Sequence, residues 1–193
     1  MSDRPGLFDW SAPRLWDRLG VRPASLPDAG FTATLWAPNA RAVSVFGDFD
    51  DWDPTAHPMV RGTDGLWHAA LPSARAGQQY KFRVTGADGV VRDKADPWAL
   101  ESGRPPETAS VLAAPSSFTW TDEAWLAARR TSWSPAAPLS IYEVHLPSWR
   151  PGLGYRELAG PLADHVRRLG FTHVQLLPIT EHPYGGSWGY QVG

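Results

Sequence analysis

The chain has 193 residues, with 18 basic and 20 acidic side chains and a formal net charge of −2 at pH 7. This balance excludes the strongly basic surface of a nucleic-acid-binding protein, and the absence of cysteine excludes disulfides and thiolate metal sites. No stretch approaches the roughly 20 continuous apolar residues of a membrane span, and the N-terminus lacks a secretory signal, so we expect a cytoplasmic protein without membrane partners.

Residues 1–22 are predicted to be an N-terminal helical segment. Leu15 and Leu19 are four positions apart, and Trp16 and Leu19 are three apart, so the three side chains share one helical face. Gly20 is a typical residue at which a helix stops. The pattern predicts one or two helical turns that pack against a later part of the chain.

Residues 23–114 are predicted to form a small β-sandwich of the immunoglobulin-like type. Period-two alternation of apolar and polar residues marks strands in the segments FTATLW, AVSVF, LWHAAL and QYKFRV. Turn sequences such as Thr63-Asp64-Gly65 separate these short strands, as expected for a sandwich. The residues predicted to face the core are Phe31, Ala33, Leu35, Val43, Val45, Trp67, Ala69, Leu71, Tyr80, Phe82 and Val84.

Residues 115–138 are predicted to be a linker that contains a short helix. Thr121–Glu123 places acidic residues at the start of this helix, and Arg129–Arg130 places basic residues at its end, which complements the helix dipole. Pro135 and Pro138 follow and prevent the helix from continuing.

Residues 139–193 are predicted to be the beginning of a barrel, in the order strand, helix, strand. Ser140–Leu146 and Thr172–Leu177 have strand patterns, and a loop rich in glycine and aromatic residues follows the second strand. Two parallel strands and one helix cannot cover both faces of a sheet. A complete barrel takes eight such units and typically about 250 residues. The sequence therefore predicts the first βαβ portion of a truncated (β/α)₈ barrel.

The predicted helix between these two strands contains a proline. Its apolar face repeats at helical spacing over Leu158, Leu162, Val166 and Leu169. Because proline breaks a helix interior, Pro161 is predicted to sit at the first position of the main helix, after a leading turn over Tyr155–Gly160. Gly170 is predicted to follow the helix end.

The run of acidic residues at Asp48, Asp50, Asp51 and Asp53 invites a calcium-site hypothesis. A calcium-binding EF-hand loop needs oxygen ligands at positions 1, 3 and 5 and glycine at position 6. Counted from Asp48, position 5 is Trp52 and position 6 is an aspartate. The run is therefore predicted to be a solvated turn, the six histidines show no metal-ligand spacing, and no metal site or cofactor is expected.

The tryptophan content is high, at 11 of 193 residues. Flat C–H faces of sugar rings stack on indole rings, so a surplus of tryptophan is typical of proteins that handle polysaccharides. The alternative interpretation is that most of these rings fill cores and domain interfaces.

The β-rich part contains the block FTATLWAPNARAVSVFGDFDDWDPTAHPM, followed by GLWHAALP, GQQYKFRV, KADPWA and PPETASVL. These blocks resemble a carbohydrate-binding module of family 48. Farther along, SIYEVHLPSW is similar to the first barrel strand of branching enzymes, and YRELAGPLADHVRRLGFTHVQLLPITEHPYGGSWGYQVG is similar to the helix, strand and loop that follow. The chain thus resembles the N-terminal part of bacterial 1,4-α-glucan (glycogen) branching enzymes of glycoside hydrolase family 13. Pro147 departs from the family, which commonly has glycine there.

This resemblance implies cleavage of an α-1,4-glucan bond and transfer of the segment to a 6-hydroxyl, with α-glucan (glycogen or amylose-like chains) as partner. The reaction needs a nucleophilic carboxylate and an acid/base carboxyl. In the family both lie on later strands, so the catalytic residues are expected beyond Gly193. No catalytic residue is assigned within the chain, and this part alone is expected to be inactive.

The resemblance also implies substrate-binding residues. Tyr190 corresponds to the tyrosine that stacks against the sugar at the cleavage point, and Trp188 and Gln191 flank it. The alternative for Trp188 is that it packs the loop down and touches no ligand. In the module, Trp52 and Lys81 match a tryptophan and a lysine that bind glucan in the family.

Two further points bear on these implied functions. The family's second glucan-binding tryptophan would fall at Val90–Val91 and is absent, and branching enzymes often use the module as a spacer. The alternatives are a non-catalytic glucan-binding module and a trehalose-releasing or debranching hydrolase of the same superfamily. The block EHPYGGSWGYQ argues against the hydrolase. The sequence leaves the oligomeric state open.

Overall fold

The computed structural model describes residues 14–25, 29–104, 106–132, 134, 136–182 and 184–192. They divide into an N-terminal unit that ends at Ser117 and a C-terminal unit that begins at Phe118. The finer division of the chain at residues 22, 114 and 138 remains a prediction. Within the described ranges, no helix is both long and apolar enough to cross a membrane.

The N-terminal unit is a sandwich of two antiparallel sheets. The β2 sheet has the order β1-β2-β5-β4, and the β6 sheet has the order β3-β6-β9-β8, with β7 also paired to β6. The strands are β1 (Gly20–Pro23), β2 (Phe31–Trp36), β3 (Ala42–Gly47), β4 (Val60–Arg61), β5 (Leu66–Leu71), β6 (Gln79–Thr85), β7 (Val91–Lys94), β8 (Glu101–Ser102) and β9 (Ser110–Val111). The predicted immunoglobulin-like β-sandwich is thereby confirmed.

The core lies between the two sheets, and strand alternation decides which residues enter it. Nine of the residues predicted to face inward are buried there: Phe31, Ala33, Leu35, Val43, Val45, Trp67, Leu71, Tyr80 and Phe82. Ala69 and Val84 are partly buried and pack against that cluster. Burying one large apolar side chain contributes roughly 1.5–3 kcal/mol, so these contacts account for most of the stabilisation of the sandwich.

Strand β1 was not anticipated from the sequence. The helical part of the predicted N-terminal segment is a 3₁₀ turn over Leu15–Asp17, and residues 1–13 lie outside the described ranges. Gly20 to Pro23 then pair antiparallel with Thr34 to Phe31 of β2. Leu15 and Leu19 pack with Leu66 and Trp98, as expected for an apolar face that meets a later part of the chain.

A buried carboxylate joins the two sheets. Asp96 is 5% exposed, and its Oδ2 accepts hydrogen bonds from the backbone N–H of Val21 (3.0 Å) and the hydroxyl of Tyr80 (2.6 Å). Its Oδ1 accepts from the N–H of Trp98 at 2.8 Å, and its own N–H donates to Ser110 Oγ at 2.9 Å. Burial, together with the charge of Asp96, raises the pKa of Tyr80 far above its ordinary value, so this hydroxyl remains a donor.

The C-terminal unit contains the predicted strand–helix–strand. Its elements are α1 (Glu123–Ser132), β10 (Ile141–His145), α2 (Leu146–Trp149), α3 (Tyr155–Leu169) and β11 (His173–Leu177). Strands β10 and β11 pair in parallel, with Ile141 opposite His173. The buried residues of this unit are Val144, Leu146, Leu158, Leu162 and Val166. The apolar stripe of α3 therefore packs with Val144 of β10 and Leu146 of α2.

The expected position of Pro161 was wrong. Helix α3 is continuous from Tyr155, and Pro161 lies inside it. The helix starts with Gly154, whose N–H donates to Glu157 Oε2 at 2.7 Å. Proline forfeits only the single bond to the carbonyl of Glu157. Burial of Leu158 and Leu162 on either side holds the helix together across that gap.

We predict that Asp96→Ala lowers the free energy of unfolding of this chain by about 3 kcal/mol or more, because each buried donor left without a partner costs roughly 1–3 kcal/mol. Urea denaturation followed by circular dichroism measures the loss. Asp93→Ala is the matched control, since Asp93 lies in an exposed ion pair with Arg83 and its loss is expected to be much smaller. Equal losses in the two variants would contradict the role of Asp96.

Candidate functional site

The turn after β3 presents Trp52 in an unusual backbone conformation. A 3₁₀ turn over Asp48–Asp50 leads to Asp51 and Trp52, which have φ angles of 52° and 61°. The left-handed region is rare for bulky residues, and such a residue costs on the order of 1–3 kcal/mol. The surrounding contacts must therefore hold this turn in place.

Two aspartates supply those contacts. Asp48 Oδ1 accepts the indole N–H of Trp52 at 2.8 Å, and Asp48 Oδ2 accepts the backbone N–H of Gln79 at 2.7 Å. Asp50 Oδ1 accepts the N–H of Gly47 at 2.9 Å, and the N–H of Trp52 donates to the carbonyl of Gly47 at 2.9 Å. The acidic run thus works as a set of turn-closing acceptors. Among the described residues, no group of three or more potential ligands is placed to hold a metal ion.

Trp52 and Lys81 both flank Phe46 on the outer face of the β6 sheet. Phe46 lies opposite Lys81 in the pairing of β3 with β6, so the two side chains share that face. The rings of Trp52 and Phe46 form a T-shaped pair, with centroids 5.7 Å apart and planes at 82°. Trp52 remains 37% exposed, and Lys81 Nζ donates to Thr108 Oγ1 at 2.8 Å.

Charge on this face is partly neutralised within the module. Arg83 lies 5.3 Å from the centre of the Phe46 ring and donates two hydrogen bonds to Asp93, at 2.7 and 2.8 Å. These bonds lower the pKa of Asp93, and the positive charges of Arg83 and Lys81 act in the same direction. Val90–Val91, where the family's second tryptophan would lie, is an exposed apolar pair.

The second set of predicted site residues lies in the loop after β11. Trp188 and Tyr190 are each 66% exposed, and Gln191 is also exposed. Trp188 follows a 3₁₀ turn over Gly185–Ser187 and has a φ angle of 55°. The N–H of Tyr190 donates to the carbonyl of Ser187 at 3.0 Å, which closes the loop.

His145 supports this loop and was not assigned a role from the sequence. It is the last residue of β10, and its ring stacks on Trp188 with centroids 5.6 Å apart and planes at 27°. His145 Nδ1 lies 2.8 Å from Ser148 Oγ, while its buried Nε2 has no hydrogen-bond partner among the described residues. The position of His145 at a strand end was the only signal for this contact in the sequence.

A separate concavity lies on the outer face of the β2 sheet. Its volume is about 540 Å³, and its polar lining comes from Thr32, Thr34, His57 and His68. His57 Nε2 lies 3.7 Å from Asp50 Oδ2, a buried oxygen without a hydrogen-bond partner among the described residues. This concavity could not be predicted from the sequence, because it is formed by strands that pair across long sequence separations.

Comparison with known proteins identifies the sandwich. Residues 18–99 match the family described as "Carbohydrate-binding module 48 (Isoamylase N-terminal domain)". The sandwich is therefore similar to a family 48 module. Trp52, Lys81, Phe46 and Arg83 all lie within it.

The chain as a whole is homologous to the N-terminal region of branching enzymes. It is 53% identical to "1,4-alpha-glucan branching enzyme GlgB" of Nocardia farcinica and 55% identical to the enzyme of that name from Thermobifida fusca, each over 92% of this chain. The chain spans only about a quarter of the length of these relatives (25% and 24%).

A solved pullulanase from Paenibacillus barengoltzii, in complex with maltohexaose and alpha-cyclodextrin, has a similar fold. It has a TM-score of 0.63 and 24% sequence identity, over 96% of this chain and 33% of that one. At this identity the likeness establishes the fold alone.

We predict that His145→Ala speeds chymotrypsin cleavage of the chain after Trp188 or Tyr190 by about two- to tenfold, because an aromatic stack contributes roughly 0.5–1.5 kcal/mol and cleavage follows the population of the open loop. Mass spectrometry of timed digests measures the rate. His173→Ala is the control, since His173 is exposed on β11. An unchanged rate in His145→Ala would show that the stack does not hold the loop.

Proposed function

We propose that the family 48 module binds α-glucan on the outer face of its β6 sheet, with Trp52 as the stacking ring and Lys81 as a hydrogen-bond donor. The carrying observation is that both side chains neighbour the buried ring of Phe46 on the outer face of the β6 sheet, where Trp52 stays partly exposed. An aromatic ring offers a sugar a flat apolar surface, and an adjacent ammonium group offers donors to its hydroxyls.

Trp52→Ala is expected to weaken the affinity of this chain for glycogen by roughly 1–3 kcal/mol, because it truncates a stacked aromatic anchor. Native gel electrophoresis with glycogen in the gel gives the dissociation constant. Trp36→Ala is the control, since Trp36 is a half-exposed ring on β2, in the other sheet of the same module. Equal weakening by both substitutions, or by neither, would count against Trp52 as the binding ring.

We further propose that the chain is the N-terminal part of a cytoplasmic glycogen branching enzyme, which cleaves an α-1,4 bond and transfers the segment to a 6-hydroxyl. The carrying observation is the identity of 53–55% with two curated branching enzymes over 92% of the chain. In this proposal the catalytic carboxylates come from the part of the enzyme that follows these residues. Trp188, Tyr190 and Gln191 contact the glucan from the loop after β11.

The position of that loop supports the proposal. Active sites of (β/α)₈ barrels form at the C-terminal ends of the strands, and the loop follows the C-terminal end of β11. Trp188 packs on His145 with one face while most of its surface stays exposed, so packing the loop and touching substrate are compatible roles.

A chimera tests the proposed branching function. Residues 1–193 replace the matching quarter of the Thermobifida fusca relative, and the chimera acts on amylose. We expect new α-1,6 branches, detected by isoamylase digestion and chain-length analysis. Release of free sugars without new branches would favour the hydrolase alternative, and an inactive, folded chimera would contradict the proposal.

In the same chimera, Tyr190→Ala is expected to lower kcat/KM for amylose by roughly tenfold or more, as for loss of a central aromatic contact. Tyr184→Ala is the matched control, because Tyr184 is a similarly exposed tyrosine in the same loop. Parallel losses in the two variants would mean that loop stability, and not contact with substrate, is affected.

A further inference from the structure

We propose that Asp48 is a positioning residue that locks the indole of Trp52 and makes it a platform that binds only through its ring face. This inference rests on the proposed binding of α-glucan at Trp52. It adds the residue that orients the ring and the kind of ligand surface that the ring accepts.

The geometry starts from one carboxylate that bonds two distant groups. Oδ1 of Asp48 accepts the indole N–H of Trp52, and Oδ2 accepts the backbone N–H of Gln79, which opens β6. Bonds to a charged acceptor are roughly twice as strong as neutral ones. Asp48 therefore connects the surface ring of Trp52 to Gln79 of β6. The residue that follows Gln79 in this strand lies in the core.

The bond to Asp48 uses the only polar group of the indole. Tryptophan has one donor and no acceptor, and at Trp52 this donor already points at Asp48. A ligand hydroxyl finds no hydrogen-bond partner on this side chain. The ring can take only a flat C–H surface, such as the face of a pyranose, and recognition of hydroxyls falls to Lys81, which gives one of its three donors to Thr108.

The same bond offsets the backbone strain of the turn. Both Asp51 and Trp52 occupy the left-handed region, a conformation that persists only when its surroundings over-determine it. The ring also forms a T-shaped pair with Phe46, an apolar contact that lacks the directionality of the hydrogen bond to Asp48. Without Asp48 the indole would be free to rotate, and glucan binding would have to order it again.

A double-mutant cycle measures this coupling in the full chain. The four proteins are the wild type, Asp48→Ala, Trp52→Phe and the double variant, and the readout is glycogen affinity. Asp48→Ala is expected to weaken binding by about two- to tenfold, the cost of ordering a freed side chain. In the Trp52→Phe background the same change is expected to have less than about a twofold effect, because phenylalanine has no N–H to bond.

A second measurement is made on the wild-type protein. Hydrogen exchange by NMR follows the indole N–H of Trp52, assigned by its absence from the Trp52→Phe spectrum. We expect protection from exchange in the free protein and the same protection with maltoheptaose bound. Exchange as fast as that of a free indole, or protection that arises only with the glucan, would overturn the positioning role.

The outcomes separate this inference from the function on which it rests. Unchanged glycogen affinity in Trp52→Ala contradicts the proposed binding site itself. Weakened affinity in Trp52→Ala, together with equal effects of Asp48→Ala in both backgrounds, leaves the binding site intact and contradicts only the role of Asp48. Unequal effects combined with a protected indole support both.

Discussion

The sandwich depends on one buried carboxylate. Removing a charge from water is costly unless its oxygens are fully hydrogen-bonded, and Asp96 meets this condition only when β1, β6 and the turn at Trp98 all converge on it. Val21 belongs to the β2 sheet and Tyr80 belongs to the β6 sheet. Because both donate to Asp96, the hydrogen bonds align the two layers. Packing of the apolar faces alone would tolerate other alignments, whereas this network specifies one.

That alignment also fixes the proposed binding face, because β6 contributes side chains both to the core and to this face. Tyr80 points inward to Asp96, while its neighbours Gln79 and Lys81 belong to the opposite face. The backbone of Gln79 holds Asp48, which holds the ring of Trp52. The surface ring is thus connected to the core carboxylate through two consecutive residues of β6. The core therefore helps to hold the ring in position.

Strand alternation made the core predictable, whereas the site residues were named through resemblance to a family and stay a prediction. The sequence could not predict β1, because GVRP has no alternation and contains both glycine and proline. Helix propensity predicted Pro161 at the first position of the main helix, but it lies in the helix interior. Burial of its neighbours outweighs the one lost hydrogen bond. The bond between Asp48 and Gln79 could not be predicted either, because Gln79, the first residue of β6, lies 31 positions later.

The left-handed pair Asp51–Trp52 has a consequence for relatives that carry the same module. A module that serves only as a spacer gains nothing from a strained turn, and a glycine there would remove the strain along with the ring. In this chain the bonds of Trp52 to Asp48 and Gly47 offset the strain, and what they preserve is an exposed ring in a fixed orientation. Under the proposed function, the backbone angles at this turn offer a way to sort modules that bind glucan from modules that do not, even where the second tryptophan is missing.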